Sequence, residues 1–368
     1  MIAVELFAGA GGLSLGLERA GFTIALANEI EPDFAKSYSL NHLSTRVLNC
    51  DIHEIDFTRE LGKAGLKNTD ITLVSGGPPC QGFSTVGSKN KKDPRNSLFF
   101  EFLRAVREIS PSFVLFENVA GFKSLYNGEA FGTLVKELTE LGYTCHSILM
   151  DAADYGLPQF RKRTILVGCR DFHLPFSFPL ATHGNPDLFG IGKRLSLMEA
   201  IDDLPDLAAG EECGFYKCSP RNSFQAFMRG SEQVLTEHNA SNYGVKMREI
   251  LSLIPPGGSI GDLPERLRPK NYFGNTYARL LPDQPSPTIT RNFGTPSSSR
   301  CVHPFQERAL STREGARLQG FPDNYLFFGS KTSKNLQIGN SVPPLLGEVV
   351  GKAIARCLRP ENQLLAIA

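Results

Sequence analysis

A regular alternation of predicted strands and helices over the first 170 residues constrains the fold of this chain more than any other feature. Each predicted strand is a short apolar run, and apolar residues at helical spacing lie between most of these runs. In the helix predicted to begin at Ser97, for example, Leu98, Phe102 and Ile109 share one face, as packing on a sheet requires. The alternation predicts an α/β fold with a doubly wound, mostly parallel sheet. The predicted strands are 2–8, 23–30, 46–50, 71–75, 113–117, 143–150 and 164–169, and the predicted helices are 13–20, 32–42, 97–109 and 129–141.

The chain changes character after residue 172. From there to about residue 304 it is rich in Pro, Gly, Asn and Ser and has few periodic runs, which predicts a second, smaller and irregular domain. Regular helices return at 312–319 and 346–358. A chain of 368 residues is long enough for two domains of about 150 residues or more.

Composition excludes several classes of protein. The chain is 41% hydrophobic and 21% charged, ordinary values for a globular protein and unlike disordered, collagen-like or coiled-coil sequences. No apolar run approaches the roughly 20 residues that cross a bilayer, and the first residues lack the pattern of a signal peptide, so we expect no membrane association and a cytoplasmic protein. The net charge of +1 gives no support for binding a polyanion, so any role with nucleic acid depends on local charge.

The eight cysteines contain no Cys-x-x-Cys pair. This spacing indicates neither a disulfide framework nor a zinc site, and we assign no metal. Most of the cysteines are expected to be reduced and buried.

A glycine-rich turn, FAGAGGLSLG at 7–16, follows the first predicted strand. Glycines there permit a tight turn and close approach of the backbone to a ligand at a helix N-terminus. The dinucleotide pattern G-x-G-x-x-G, counted from Gly9, fails at Ser14. Glu29 ends the second strand, where a carboxylate can accept two ribose hydroxyls, and Asp51 follows the third, within reach of an adenine amino group. Each acid alone also fits a strand-end cap, but together they favour a ligand that contains adenosine.

A proline-stiffened segment, GGPPCQGFS at 76–84, follows the fourth strand. Two prolines precede Cys80 and glycines flank it, which predicts a thiol held at the carboxyl edge of the sheet, where a nucleophile would stand. The next segment, SKNKKDPRN at 88–96, carries four Lys or Arg residues and one Asp. It is either a solvated charged run or a loop that closes over phosphates.

Two further motifs bring charge to the same edge. Glu117 ends the fifth strand, and burial would raise its pKa and let it donate a proton to a ring nitrogen. In QFRKR at 159–163, the period of two places Arg161 and Arg163 on one side of an extended segment, and paired arginines suit phosphate or carbonyl oxygens. Either motif alone fits surface ion pairing equally well.

Taken together, these motifs resemble the DNA cytosine-5 methyltransferase family, in the family's order and over most of the chain. The matching blocks are FAGAGGLSLG at 7–16, Glu29, Asp51, GGPPCQGFS at 76–84, ENV at 117–119, QFRKR at 159–163, QPSPTIT at 284–290 and QIGNSVPP at 337–344. The resemblance implies the fold of S-adenosylmethionine-dependent methyltransferases. It also implies that the second domain is a target-recognition domain, which divides the chain into a catalytic and cofactor-binding domain at 1–180, a DNA-binding domain at 181–309 and a segment at 310–368 that completes the catalytic domain.

The resemblance also implies a site for S-adenosylmethionine, with S-adenosylhomocysteine as product. By this resemblance Phe7 stacks near the adenine, Glu29 holds the ribose and Asp51 holds the adenine. Ile30 stands where some members of the family carry Trp, so part of the stacking differs here. The full set of implied cofactor residues is Phe7, Ala8, Gly9, Gly11, Gly12, Leu13, Glu29, Asp51, Ile52, Pro79, Leu98, Asn340 and Ser341.

The chemistry implied by the family begins with a thiolate, because carbon 5 of cytosine is a poor nucleophile until a thiolate adds to carbon 6. Cys80 would take that role, Glu117 would hold the ring N3 and amine, and Arg163, with Arg161 beside it, would hold the ring carbonyl oxygen. The target base must leave the duplex to reach the site, and the segment 88–96 would close behind it. The implied contacts with double-stranded DNA are Gln81, Ser84, Lys89, Lys91, Arg95, Arg279 and Arg291, with the run 266–270 and Arg300 as further candidates.

The resemblance therefore predicts a bacterial, monomeric, site-specific DNA methyltransferase that is associated with the nucleoid and protects DNA in a restriction-modification system, with a cognate endonuclease as its partner. The alternatives are a transfer-RNA cytosine-5 methyltransferase on the same fold, a dinucleotide-dependent oxidoreductase and a non-catalytic nucleotide-binding protein. The long irregular segment favours a DNA substrate over transfer RNA, and the failed dinucleotide pattern and the Pro-Pro-Cys segment disfavour the last two.

Overall fold

The computed structural model describes residues 1–79, 97–170, 175–185, 191–297 and 301–358. These residues divide into two compact units. The first unit comprises the described parts of Met1–Asp151, Lys162–Leu180 and Val342–Ala368, and the second comprises those of Ala152–Arg161 and Ala181–Ser341.

The first unit is built on a seven-stranded sheet. Its strands are β1 (Ile2–Leu6), β2 (Thr23–Asn28), β3 (Arg46–Leu48), β4 (Ile71–Gly76), β5 (Phe113–Val119), β6 (Thr144–Asp151) and β7 (Lys162–Cys169). They lie in the order β3-β2-β1-β4-β5-β7-β6. The pairs from β3 to β5 are parallel, and β7 runs antiparallel to both β5 and β6. This arrangement confirms the predicted α/β fold with a mostly parallel sheet.

Helices cover the sheet because each has one apolar stripe. They are α1 (Gly12–Arg19), α2 (Pro32–Asn41), α3 (Phe57–Lys63), α4 (Ser97–Ile109), α5 (Glu129–Glu140) and α11 (Pro344–Cys357). The buried face of α4 contributes Phe102, Val106 and Ile109 to the main apolar core, where they meet Val114 and Phe116 of β5. The four predicted helices of this region are present, and the two-turn α3 was not predicted.

Three glycines allow α1 and α11 to pack with their backbones in contact. A Cβ atom on Gly16 would lie 2.1 Å from the carbonyl oxygen of Pro344, and one on Gly347 would lie 2.8 Å from that of Leu13. On Gly351 it would lie 2.8 Å from the Cβ of Ala20. The C-terminal helix thereby supports the helix that follows the glycine-rich turn.

The second unit has short elements, as the irregular sequence predicts. Its helices are α6 (Leu197–Ile201), α7 (Ser223–Arg229), α8 (Val245–Ser252), α9 (Thr312–Gln319) and α10 (Lys331–Asn340), and β8 (His183–Gly184) pairs with β9 (Gly192–Lys193). One of its apolar clusters joins Ile250 and Ile254 to Ile260, Leu263 and Leu267.

Helix α9 is buried along its whole length although it is rich in charge. Arg308 makes two 2.7 Å bonds to Glu314, and Arg317 bonds to both Asp203 and Asp323. These pairs explain why residues 310–341, which we expected with the catalytic domain, group with the second unit.

Among the described residues, no helix combines the length and the apolar character that crossing a membrane requires. The seven cysteines in the same part of the chain are free thiols. Those residues also contain no cluster of three or more His, Cys, Asp or Glu side chains that could hold a metal ion.

Candidate cofactor and active site

The glycine-rich turn between β1 and α1 has an unusual backbone. Phe7, Gly9 and Gly11 have φ angles of 56°, 57° and 93°, in the left-handed region, which glycine adopts at little cost. The Ala8 amide donates to the carbonyl of Asn28 at 2.9 Å, which ties the turn to the end of β2. The turn thus lies at the carboxyl edge of the parallel strands, where ligands bind in open α/β sheets.

Glu29 is held against this turn. Its two carboxylate oxygens accept from the backbone amides of Gly9 and Glu31, each at 2.8 Å. The side chain is buried, and burial raises its pKa, although the two amide donors oppose that rise. The predicted ribose carboxylate is therefore fixed in position beside the glycine turn.

The other predicted cofactor residues of the first unit lie on neighbouring elements of the same sheet. Phe7 and Leu98 are half-buried against the main core, and Ile52 is buried within it. Asp51 is half-exposed and accepts from the backbone amide of His53 at 3.0 Å and from its Nδ1 at 2.6 Å. The backbone donor is the main reason that the pKa of Asp51 is lowered. Asp51 caps the 3-10 turn Ile52–Glu54, and its contact with adenine remains a prediction.

A buried carboxyl below the turn was missed by the sequence analysis. Glu5 on β1 bonds to the hydroxyl of Ser14 on α1, which in turn lies 2.5 Å from the hydroxyl of Tyr38 on α2. All three side chains are buried, and burial raises the pKa of Glu5 to about 8. A charged residue inside a predicted apolar strand was the available signal, and it marks a polar link between one strand and two helices.

Glu117 and Arg163 form an ion pair at the junction of β5 and β7. Val119 lies directly opposite Arg163 in the antiparallel register, so Glu117, two residues away, shares the same face. Arg163 Nε lies 2.9 Å from Glu117 Oε1, and both side chains are largely buried. Burial lowers the pKa of Arg163, and the charge of Glu117 opposes that change. The structure brings together these two residues that the sequence predicted to be catalytic.

The start of the Pro-Pro-Cys segment packs directly on this pair. A Cβ on Gly77 would lie 2.8 Å from Glu117 Oε2, so glycine is the residue that fits. Asn118 Nδ2 donates to the carbonyl of Pro78 at 3.1 Å and fixes the chain leading to Pro79. The predicted residues Cys80, Gln81, Ser84, Lys89, Lys91, Arg95 and Arg300 lie outside the described residues.

Arg161 and Arg163 belong to different units. Arg161 belongs to the second unit, where its buried guanidinium donates to the carbonyls of Ile289, Gly339 and Ser341 at 2.8–3.0 Å. The period of two placed both arginines on one side, but a role for Arg161 in holding a base is not supported, because carbonyls of its own unit engage its guanidinium.

The late motif contributes Asn340 and Ser341, and both belong to the second unit. Asn340 is exposed, and Ser341 Oγ donates to the carbonyl of Gln337 at 2.7 Å. Their predicted contact with the cofactor stays a prediction.

The two described arginines predicted to contact DNA differ sharply. Arg279 is buried and donates to five backbone carbonyls, those of Leu251, Ile254, His303, Pro304 and Gln306. Its predicted DNA contact is therefore corrected to a structural role in the second unit. Arg291 is exposed, so its contact with DNA stays a prediction.

A sequence profile of C-5 cytosine-specific DNA methylases matches residues 1–356. The chain belongs to this family. As a member of the C-5 cytosine-specific DNA methylase family it is a DNA methyltransferase, and the predicted family, fold and enzyme class are confirmed.

Similar proteins agree with this membership. The chain is 34% identical over 356 residues to the Type II methyltransferase M1.HphI of Haemophilus parahaemolyticus, covering 96% of this chain and 86% of the relative. It is 35% identical over 378 residues to the Type II methyltransferase M.Eco47II of Escherichia coli, covering 98% and 80%.

Solved structures share the fold. An E. coli prophage protein, described as a DNA modification methyltransferase, superposes with a TM-score of 0.78 at 26% identity over 97% of this chain and 99% of that one. Spodoptera frugiperda DNMT2 has a TM-score of 0.62 at 17% identity over 96% and 99%, and it shows the fold alone.

Membership of the methylase family implies a methyl donor, and the residues at the glycine turn fit one that contains adenosine. A fixed carboxylate suits ribose hydroxyls, and the half-buried ring of Phe7 and the exposed side chain of Ile30 offer apolar surface to a purine.

Proposed function

We propose that this methylase transfers a methyl group from S-adenosylmethionine to carbon 5 of cytosine at a specific site in double-stranded DNA, through a covalent adduct with Cys80. The observation that carries the proposal is the Glu117–Arg163 ion pair, in which Arg163 Nε lies 2.9 Å from Glu117 Oε1. Glu117 packs against Gly77, which stands three residues before Cys80 in the chain.

A cytosine ring matches this pair because its N3 and its carbonyl oxygen are attached to the same ring carbon. Glu117 would hold N3 and the exocyclic amine, and Arg163 would hold the carbonyl oxygen. Protonation at N3 draws electrons from the ring and opens carbon 6 to attack by the Cys80 thiolate. Formation of the sulfur–carbon 6 bond then pushes the electrons of the ring double bond onto carbon 5, which becomes nucleophilic enough to take the methyl group. After carbon 5 is methylated, its proton is lost to water, the electrons of that bond restore the double bond between carbons 5 and 6, and the bond to sulfur breaks so that the Cys80 thiolate leaves. The proton on N3 returns to Glu117, which gives neutral 5-methylcytosine.

S-adenosylmethionine would supply an electrophilic methyl group on its sulfonium. The residues of the first unit that would hold it are Glu29 at the ribose, Asp51 at the adenine, and Phe7 and Leu98 against the purine. Because the Glu29 carboxylate is already fixed by two amides, little ordering is needed when the ribose binds.

The target base would be flipped out of the duplex, since a stacked base cannot present its carbon 6 to a thiolate. The second unit is our candidate for the part that recognises the DNA sequence. The Type II names of the relatives support a role in a restriction-modification system. For such a role we propose a cognate endonuclease as the functional partner and a monomer as the acting form.

The test is to treat unmethylated genomic DNA with the purified protein and S-adenosylmethionine, and to map 5-methylcytosine at base resolution. We expect modification within one short motif. Cys80→Ala is expected to abolish transfer and to retain binding of S-adenosylmethionine, and Cys218→Ala, a half-buried thiol of the second unit, serves as the matched control.

Retained turnover in Cys80→Ala would remove this residue as nucleophile. Methylation of transfer RNA but not of DNA by folded, cofactor-bound protein would instead support the transfer-RNA alternative.

A further inference from the structure

An exposed segment of the second unit carries two large aromatic side chains. All seven residues at 268–274, Arg-Pro-Lys-Asn-Tyr-Phe-Gly, are exposed, and we call this segment the 268–274 tip. Tyr272 is 49% exposed and Phe273 is 79% exposed. Packing within this chain does not account for two large aromatic rings left exposed at consecutive positions, and exposed aromatic residues that occur together are typical of binding surfaces.

Hydrogen bonds fix both ends of the tip. Arg268 donates from Nε to the carbonyl of Leu263 and from Nη2 to that of Gly261, both at 2.8 Å. At the other end, the amide of Phe273 donates to Thr276 Oγ1 at 3.2 Å, and the amide of Thr276 donates back to the carbonyl of Phe273 at 2.9 Å. The aromatic rings are therefore presented by an anchored backbone, which reduces the ordering cost of binding.

The charge of the tip favours an anionic partner. No Asp or Glu occurs between Glu265 and Asp283 in the sequence. Within the described part of the chain, no acidic side chain forms an ion pair with Lys270, whereas the nearby Arg266 is paired with Glu249 at 3.1 Å. Lys270 is thus an available cation beside two exposed rings.

We propose that residues 270–273 of the tip contact the DNA duplex and contribute to its sequence recognition. This inference rests on the proposed function, which supplies the substrate. Lys270 would contact a phosphate, Asn271 has the paired donor and acceptor that read an adenine edge, and the rings of Tyr272 and Phe273 would pack on bases. The lone cation and the amide favour DNA over a protein partner for this surface.

The experiment first measures the Kd for fluorescent duplexes that contain the methylated motif, by fluorescence anisotropy. The kcat and the KM for DNA are then measured at steady state, and 5-methylcytosine is mapped at base resolution. Phe273→Ala and Tyr272→Ala are compared with Phe305→Ala. Phe305 is a matched control because it is 63% exposed in the same unit but lines a cavity of about 510 Å³ in which Lys217 and Arg221 are already paired with Asp206 and Asp202, so those cations are not available to a phosphate.

Loss of one base–aromatic contact corresponds to a roughly 5- to 150-fold loss of affinity. We expect Phe273→Ala to raise the Kd and the KM for DNA in this range, to leave kcat close to wild type and to relax the methylation profile at one position. Phe273→Trp is expected to restore binding, and Lys270→Ala to lower the salt slope of binding by about one. Phe305→Ala should match wild type in each assay.

Two results overturn the inference while the proposed function stands, provided that the wild-type protein methylates DNA. In the first, Phe273→Ala and Tyr272→Ala bind and methylate DNA as the wild-type protein does. In the second, Phe305→Ala loses as much DNA affinity as they do. If the wild-type protein binds duplex DNA through the tip but methylates none, the proposed function fails and the contact stands. No duplex binding by the wild-type protein overturns both.

Discussion

Replacement of Glu5 by Gln tests whether the buried carboxyl below the glycine turn is neutral in the folded protein. Its pKa is raised to about 8, chiefly by burial, and the charges of Glu18 and Glu29 add to the rise. Gln has the shape of the protonated acid and can keep the hydrogen bond to Ser14 without titrating. The substitution therefore removes the proton exchange at this position and retains most of the packing.

The sign of the effect follows from the two pKa values of Glu5. In the unfolded chain it titrates near 4.5, and in the folded protein near 8, so between these values only the folded protein holds the proton. The stability that Glu5 contributes is complete below about pH 4.5 and is lost as the pH rises towards 8. Each pH unit in this window corresponds to about 1.4 kcal/mol, which gives an upper limit of about 5 kcal/mol.

The assay is thermal unfolding of wild type and Glu5→Gln from pH 5.5 to 7.5, followed by far-UV circular dichroism because the chain contains no Trp. The stability of the variant relative to wild type should rise by about 3 kcal/mol over this range, which is roughly 6–12 °C in Tm for a unit of this size. Glu54→Gln removes an exposed carboxylate and should show no such trend. A Tm difference between Glu5→Gln and wild type that does not change with pH would refute the reasoning.

Two further predictions separate packing from recognition. Gly16→Ala should lower stability by about 1–3 kcal/mol or more, because the new Cβ would meet the Pro344 carbonyl at 2.1 Å. Gly62→Ala, with open space around its Cβ, should raise stability by up to about 1 kcal/mol, and melting of both proteins checks the pair. Arg279→Gln should lower the Tm and leave the salt slope of DNA binding unchanged, whereas Arg291→Gln should lower that slope by about one at an unchanged Tm. The reverse pattern in DNA titrations at several salt concentrations would contradict both assignments.

The sheet and its edge could be predicted because they depend on local patterns. Each strand of the first unit is a short apolar run, and a residue that ends a parallel strand reaches the carboxyl edge whatever the loops do. For this reason Glu29 and Glu117 lie where the sequence placed them. The contact of Gly77 with Glu117 depends on the distance between neighbouring strands, which no spacing along the chain reveals.

The failures concern arginines, and they share one cause. Arg161 was placed beside Arg163 by the period of two, and Arg279 was expected to contact DNA from the resemblance; neither argument indicates whether the side chain is buried within its own unit. Burial of an arginine becomes tolerable when several carbonyls or carboxylates converge on its five donors, and that convergence is a property of the assembled unit. Arg279 meets five carbonyls that lie 24 to 28 positions away in the chain, a distance over which periodicity carries no information.

The same chemistry explains how an irregular unit with few periodic helices is held together. Its apolar clusters are supplemented by buried arginines that bind carbonyls and carboxylates from distant turns, and the Arg317 guanidinium joins Asp203 to Asp323. Removal of one partner from a buried ion pair lowers the free energy of unfolding by more than the intact pair contributes to it. The reason is that the other charge is left buried without a partner. Substitution of Arg317, which would leave Asp203 and Asp323 buried without their cation, should therefore unfold this unit, whereas the exposed 268–274 tip can change without that cost. A fixed interior with an exposed surface that tolerates substitution would suit the DNA-recognition role proposed for this unit.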